Sequence, residues 1–108
     1  IKNSKWAVIK EEKMVQGKVV IVDNFGNLIT NIRLDDIAEY LRKFETISIS
    51  HKNKEIINTL VENYNDVVQG ETMCRVNDLG FLEIAINEGP ATSLLGISNG
   101  QQVQIIFS

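Results

Sequence analysis

The sequence predicts a mainly β fold: a small, mostly antiparallel β-barrel with one or two short helices. Six or seven short apolar segments are separated by turn signals at intervals of about 8–12 residues, a pattern typical of a small barrel or sandwich. The long crossover helices that a parallel sheet requires are missing. A closed barrel leaves no strand edge unpaired, and we therefore predict a barrel.

Length and composition limit the class of protein. The chain has 108 residues, of which 44% are hydrophobic and 23% are charged, and this fits one globular domain. A net charge of -3 without basic clusters argues against a nucleic-acid partner. No apolar run approaches the roughly 18 residues of a membrane span, so we expect no membrane partner.

The first residue and the single cysteine bear on the native length of the protein and on its cellular compartment. The chain begins with Ile1 rather than Met, so we expect a piece of a longer protein. Cys74 is the only cysteine and cannot form an internal disulfide. We predict an inert packing role for it and a reducing compartment, the cytoplasm.

The first half of the chain contains a linker, two strands and a helix. Residues 1–16 mix charged and isolated apolar side chains and are predicted to be an interdomain linker, with Trp6 packed against a neighbouring group. The domain proper is expected to span 17–108, beginning with the Val- and Ile-rich strand GKVVIVD and followed by NLITNI. Apolar residues at 34, 37, 38, 41 and 44 predict one amphipathic helix. Asp35 and Asp36 would complement its positive end.

The second half is predicted to be mostly strands. ETISISH alternates strictly and should pair with EIINTL across the turn KNK. VENYNDVVQG is irregular, and the strands ETMCRV and FLEIAIN flank the turn NDLG. GPATSLLG predicts one or two helical turns that end at Gly96. GQQVQIIFS is the closing strand.

The sequence offers no complete catalytic set. His51 is the only histidine, and its place beside KNK predicts a solvated turn residue. No Ser-His-Asp arrangement, metal-binding cluster or phosphate-binding glycine loop can be assembled. We therefore expect no catalytic residue and no metal ligand in this chain.

Aromatic and amide side chains in two loops are the stronger candidates for a binding site. Phe25 presents a flat ring, and Asn27 presents the donor and acceptor that match a purine edge. The alternative is a hairpin turn in which Asn and Gly only satisfy turn geometry. Thr30 and Asn31 interrupt an apolar strand, and their alternative role is to bond neighbouring backbone groups. Tyr64 lies in the polar loop NYND, where it either meets a ligand or pins the loop to the barrel.

A third group of candidates follows the turn NDLG. Glu83 interrupts an otherwise apolar strand, and the alternative is that strand alternation simply points it outward. Asn87 precedes Glu88–Gly89 and would cap the helix in GPATSLLG. We expect all three loop groups to meet at one rim of the barrel, where a flat heterocycle would bind.

Four segments in this order resemble a known family. VVIVDNFGNLITNI, NYNDVVQGE, NDLGFLEIAINEGPATSLLG and GQQVQIIF together resemble the C-terminal domain of the S-adenosylmethionine hydroxide adenosyltransferases. These enzymes are relatives of the bacterial S-adenosylmethionine-dependent fluorinase and chlorinase. The resemblance covers about residues 17–107, and its most specific parts are FGN-x-x-TNI and NxxGxLEIAxNxG.

The resemblance implies an architecture and a reaction. The C-terminal domain would be a small β-barrel that holds adenine, while an N-terminal α/β domain carries the catalytic groups. Homotrimers would form each site between the N-terminal domain of one subunit and the C-terminal domain of the next. The full-length enzyme would hydrolyse its substrate, S-adenosylmethionine, to adenosine and methionine without a cofactor. The alternatives are a non-catalytic module that senses adenine nucleotides and a barrel kept for trimer assembly.

The resemblance also implies the substrate-binding residues. Phe25, Asn27, Tyr64 and Asn87 correspond to positions around the adenine, and Asp78 to a turn near the methionine portion. Asp78 and Leu79 depart from the family pattern, which has Asn-Ser where this chain has Asn77–Asp78. A carboxylate there would repel the methionine carboxylate or attract the ammonium group.

Overall fold

The computed structural model describes residues 7–108, which form eight β-strands and two α-helices. Trp6, whose packing the sequence analysis predicts, lies outside the described residues. The elements are β1 (Ile9–Lys10), β2 (Met14–Val22), β3 (Leu28–Arg33), α1 (Leu34–Lys43), β4 (Ile47–His51), β5 (Lys54–Ile57), a 3₁₀ turn (Tyr64–Asp66), β6 (Thr72–Val76), β7 (Phe81–Ile86), α2 (Ala91–Leu95) and β8 (Gln102–Phe107). Neither helix is long and apolar enough to cross a membrane.

The strands form one nearly closed sheet, which confirms the predicted fold. Every strand pairing within residues 7–108 is antiparallel, and the order is β5-β4-β8-β2-β3-β7-β6, with β1 on β2. The two ends of this path, β5 and β6, lie next to each other. The chain after β5 then runs beside β6, where the Val61 N–H donates to the Cys74 carbonyl at 2.9 Å.

The barrel interior is filled by alternate strand residues. β2 begins at Met14, three residues before the predicted start, and its buried side begins at Val15. The fully or nearly fully buried apolar side chains include Val15, Val19, Leu28, Ile32, Ile49, Ile84, Val103, Ile105 and Phe107. Cys74 is part of the same core, and burial raises the pKa of its thiol well above the ordinary value. The thiol therefore stays protonated and packs as a small apolar group.

Two polar residues of β3 bond to neighbouring backbone groups. The Thr30 hydroxyl donates to the Leu82 carbonyl at 2.8 Å, and Asn31 Oδ1 accepts from the Lys18 N–H at 2.9 Å. A Cβ added to Gly17 would lie 2.5 Å from this same Asn31 oxygen. The alternative weighed for Thr30 and Asn31 is therefore the observed one, and glycine at position 17 makes room for it.

Helix α1 packs on the barrel through a different stripe from the predicted one. The Asp36 carboxylate accepts from the Arg33 N–H at 2.8 Å and fixes the helix start. Ile37 is fully buried, and the Tyr40 ring stacks on Phe107 with ring centroids 4.7 Å apart. Leu34 and Leu41, both predicted to face the core, are exposed. Because the Tyr40 ring stacks on Phe107, the face of α1 that contacts the barrel is rotated toward Tyr40.

Strand β7 is covered on both faces. Leu82, Ile84 and Ile86 face the barrel core, while Glu83 and Ala85 point to the outer face and are also buried. Residues 58–71, which we call the covering segment, contact this side of the sheet, where Tyr64 bonds to Glu83 and the Val67 carbonyl accepts from Asn87. Glu83 does point outward, as the alternative had it, but it is not solvated, because strand alternation separates buried from exposed side chains only where one face of the sheet is open to solvent.

Candidate functional site

An open cleft of about 550 Å³ lies where β7 ends. It is bounded by the β2–β3 turn, the 3₁₀ turn of the covering segment and the chain between β7 and α2. The residues that line it are Asp23, Phe25, Asn27, Tyr64, Ile86, Asn87, Glu88, Gly89 and Pro90. Four of the five predicted binding residues therefore meet here, and Asp78 does not.

The Asp23 carboxylate organises the β2–β3 turn. Its Oδ1 accepts from the N–H groups of Phe25 and Asn27, both at 2.9 Å, and its Oδ2 accepts from Asn27 Nδ2 at 3.1 Å. This is the local side-chain bonding by which Asp stabilises turns. Asn27 is buried and its amide is oriented, whereas the Phe25 ring remains 79% exposed. The turn thus presents an aromatic face on a fixed backbone.

Gly26 brings this turn against the segment that precedes α2. Its φ of +82° favours glycine, and an added Cβ would lie 2.7 Å from Pro90 Cβ. The Gly26 carbonyl accepts from the Thr92 N–H at 2.9 Å. Two walls of the cleft are therefore held together at the backbone, which any side chain at position 26 would disturb.

Tyr64 forms the third wall and is held by two residues of the sheet. Its hydroxyl donates to Glu83 Oε2, and the Arg75 guanidinium carbon lies 5.0 Å from the ring centroid. Burial, followed by the hydrogen bond to Glu83 and its negative charge, raises the pKa of Tyr64 to about 12. The hydroxyl is thus a permanent donor near neutral pH. With Arg75 over one face, the other face of the ring is the one left for a ligand.

Asn87 ties the covering segment to the end of β7. Its Nδ2 donates to the Val67 carbonyl at 2.8 Å, and its backbone carbonyl accepts from the Gly70 N–H at 2.8 Å. Helix α2 begins after Pro90 without a side-chain cap. The prediction that Asn87 caps this helix is therefore wrong, because its amide is turned toward the covering segment.

Asp78 lies at the opposite end of β7 from the cleft. The β6–β7 turn precedes Phe81, and the six residues of β7 separate it from Asn87 by about 20 Å along the strand. The Asp78 carboxylate is fully exposed, 3.9 Å from Arg75 Nη2. Placing the NDLG turn at the same rim as the other two groups is wrong, since a hairpin puts its turn where the second strand begins. A contact of Asp78 with the methionine portion stays a prediction.

His51 is the last residue of β4, within the predicted strand ETISISH and beside the turn KNK, and it is half-buried rather than fully solvated. Nδ1 lies 2.9 Å from the Gln102 carbonyl oxygen, so this nitrogen carries the proton and donates. His51 is not among the residues that line the Tyr64 cleft.

Two residues of the candidate site were not among the predicted binding residues. Asp23 lines the cleft and holds its first turn, and its position four residues before Asn27 at a strand end was a usable signal for a turn-stabilising carboxylate. Glu83 holds Tyr64 from beneath the covering segment. Nothing in the local sequence distinguishes Glu83 from an outward-facing strand residue.

Sequence comparison relates the chain to a family of known proteins. Residues 17–104 match the family model of the S-adenosylmethionine hydroxide adenosyltransferase C-terminal domain. The chain is 33% identical over 93 residues to an "(R)-S-adenosyl-L-methionine hydrolase" of Methanocaldococcus jannaschii, a match covering 83% of this chain and 35% of that relative. A protein of the same name from Thermus thermophilus is 24% identical over 91 residues, covering 84% and 32% respectively.

A solved structure shares the fold of this chain. The crystal structure of an uncharacterized conserved protein from Thermotoga maritima superposes with a TM-score of 0.81 at 32% identity, covering 93% of this chain and 38% of that one. The chain spans about a third of the length of the curated relatives it matches. It belongs to the family of S-adenosylmethionine hydroxide adenosyltransferase C-terminal domains.

Proposed function

We propose that this chain is the adenine-holding domain of an enzyme that hydrolyses S-adenosylmethionine to adenosine and methionine. The observation that carries the proposal is the convergence of two aromatic rings and two amides, from Phe25, Tyr64, Asn27 and Asn87, on one cleft. Relatives named "(R)-S-adenosyl-L-methionine hydrolase" support the choice of reaction.

The cleft offers what a purine requires. Base stacking on an aromatic side chain contributes roughly 1–3 kcal/mol, and Phe25 and Tyr64 are the two rings available. The Asn27 amide is held in place by Asp23, which commits one of its two N–H groups and leaves the rest of the amide for a base edge. Preorganisation of this kind lowers the entropic cost of binding.

The reaction places few chemical demands on this domain. Water or hydroxide attacks C5′ of the substrate, the C5′–S bond breaks, its electrons go to sulfur, and methionine leaves as a neutral thioether. When water is the nucleophile, one of its two protons is released and the other stays on the new 5′-hydroxyl group. Holding the adenosine fixes C5′ relative to the nucleophile and excludes water. The groups that orient the nucleophile belong to the N-terminal α/β domain. Each site is completed between two subunits of a homotrimer. The enzyme acts in the cytoplasm and needs no cofactor.

The test uses the full-length protein that we expect to contain this chain. Incubation with S-adenosylmethionine should release adenosine and methionine in equal amounts by chromatography, independently of added halide. Phe25→Ala should lower kcat/KM, whereas Ile106→Ala, at an exposed apolar residue of β8 that does not line the cleft, should not. Adenosine binding without turnover would instead identify a sensing module, and trimer formation without either would identify an assembly barrel.

A further inference from the structure

We propose that Glu83 and Arg75, neither of which lines the cleft, are positioning residues that fix the Tyr64 ring in the cleft wall. The inference rests on the proposed function, because the ring is taken to stack on the adenine. It assigns part of the ligand affinity to two side chains that touch no ligand.

The bonds of the covering segment to the sheet at Val61, Val67 and Gly70 fix its backbone but do not by themselves set the direction of the Tyr64 ring. The only regular structure of the covering segment is the single turn Tyr64–Asp66, and Tyr64 is 37% exposed. The structure gives the side chain two anchors, the hydroxyl bond to Glu83 and the ring contact with Arg75. Both anchors belong to the sheet, where Arg75 and Glu83 are direct partners across β6 and β7. A residue of the covering segment is thus fixed by two neighbouring side chains of the sheet.

The burial of Glu83 indicates a role beyond stability. Glu83 is 4% exposed, and burying a carboxylate carries a desolvation cost of several kcal/mol that its partners must offset. An apolar residue at this position would pack against the covering segment without that cost. Only a polar acceptor, however, selects one orientation of the Tyr64 hydroxyl, and with it the direction in which the ring faces the cleft.

Arg75 acts on the ring face. Its side chain is 13% exposed, and within the described part of the chain its Nε is buried without a hydrogen-bond partner. The guanidinium carbon lies 5.0 Å from the centroid of the Tyr64 ring, and the only ion pair of Arg75 in this part of the chain is the long one from Nη2 to the exposed Asp78 carboxylate, at 3.9 Å. A ligand on the open face would form a three-layer stack of base, Tyr64 and Arg75, in which cation–π attraction stabilises the middle ring.

The expected effect follows from the ordering of one side chain. Immobilising a rotamer-rich side chain on binding costs about 0.5–1.5 kcal/mol, which corresponds to about 2- to 12-fold in Kd. Glu83→Met removes the acceptor at similar length and should weaken adenosine binding by that factor. Glu83→Gln keeps an acceptor oxygen and should restore most of the affinity.

A double-mutant cycle in the 108-residue chain tests the route of the effect. Tyr64→Phe keeps the ring but removes the hydroxyl through which Glu83 acts. Adenosine titrations followed by NMR should show that Glu83→Met weakens binding in the wild-type background and has no further effect on Tyr64→Phe. Equal weakening in both backgrounds would overturn the proposal. Thermal unfolding checks that each variant is folded, and apolar replacement of a buried charge is often tolerated.

A second readout needs no ligand. Nuclear Overhauser contacts between the Tyr64 ring and the Arg75 side chain should be present in the wild type, present in Glu83→Gln and lost in Glu83→Met. Their persistence in Glu83→Met would overturn the positioning role of Glu83, whatever the ligand data show. A wild-type chain that keeps these contacts but never binds adenosine would refute the proposed function instead, so the two failures are distinguishable.

Discussion

Replacing Phe25 by Ala separates ligand binding from folding more cleanly than any other change in the cleft. The ring is 79% exposed at the tip of the β2–β3 turn, so only about a fifth of its surface contributes to packing. Truncating a fully buried Phe costs about 3–5 kcal/mol. By proportion, Phe25→Ala should lower the free energy of unfolding by less than about 1 kcal/mol.

The effect on binding should be larger. One aromatic stack contributes roughly 1–3 kcal/mol, and two hydrogen bonds add about 0.5–1.5 kcal/mol each. The sum is on the order of 2–6 kcal/mol, from which the cost of holding the ligand is subtracted. Since a millimolar Kd requires about 4 kcal/mol, this chain should bind adenosine no more tightly than roughly millimolar. Losing the stack should raise Kd by about 5- to 150-fold.

NMR titration with adenosine measures this range directly. Leu79→Ala is the matched control, because Leu79 is an 83% exposed apolar turn residue at the other end of β7. It should leave Kd unchanged. The reasoning fails if adenosine binds at micromolar concentration and neither Phe25→Ala nor Tyr64→Ala changes the affinity. The NFGN turn would then be only a hairpin connection.

Three further predictions follow from the site. Gly26→Ala should cost more stability and more adenosine affinity than Gly70→Ala in unfolding and titration experiments; both have positive φ, but only the Cβ at position 26 meets Pro90, at 2.7 Å. The pKa of Tyr64 is raised from 10.0 to about 12, so its stabilising contribution is complete below about pH 10 and is lost as the pH rises toward 12. The urea midpoint should therefore fall less steeply over this interval in Tyr64→Phe than in the wild type, and equal slopes would contradict it. The chain alone should release no adenosine from S-adenosylmethionine; steady chromatographic release by the purified fragment would show that catalytic residues had been overlooked.

Local patterns predicted most of the fold. The strands were correctly located where Val and Ile density or strict alternation is bounded by turn residues, as in β2, β4 and β8. Helix α2 ends as predicted at Gly96, whose φ of +69° is the left-handed conformation that glycine favours. The buried stripe of α1 was predicted less accurately, because the position of Phe107, 67 residues after Tyr40, decides which face of the helix packs on the barrel.

The candidate binding residues divide in the same way. Phe25 and Asn27 could be singled out as candidates because turn chemistry is local, and the family resemblance pointed to the same two residues. Asp78 was placed at the wrong end of the sheet because the three polar loops were grouped by composition. Following the chain direction through the β6–β7 hairpin would have separated Asp78 from Asn87.

The solvated alternative for Glu83 and the helix cap predicted for Asn87 both fail for one shared reason, which also bears on the geometry of the candidate site. Both were assigned as if the outer face of β7 were open, whereas the covering segment lies on it and bonds to both side chains through Tyr64 and Val67. The segment that buries this face of the sheet therefore also supplies the ring of the cleft. The stability of the covering segment and the shape of the site are therefore coupled, since loosening either the bond to Glu83 or the bond to Asn87 would free Tyr64. A hydrogen-exchange experiment should accordingly find that adenosine slows exchange at β6 as well as in the cleft.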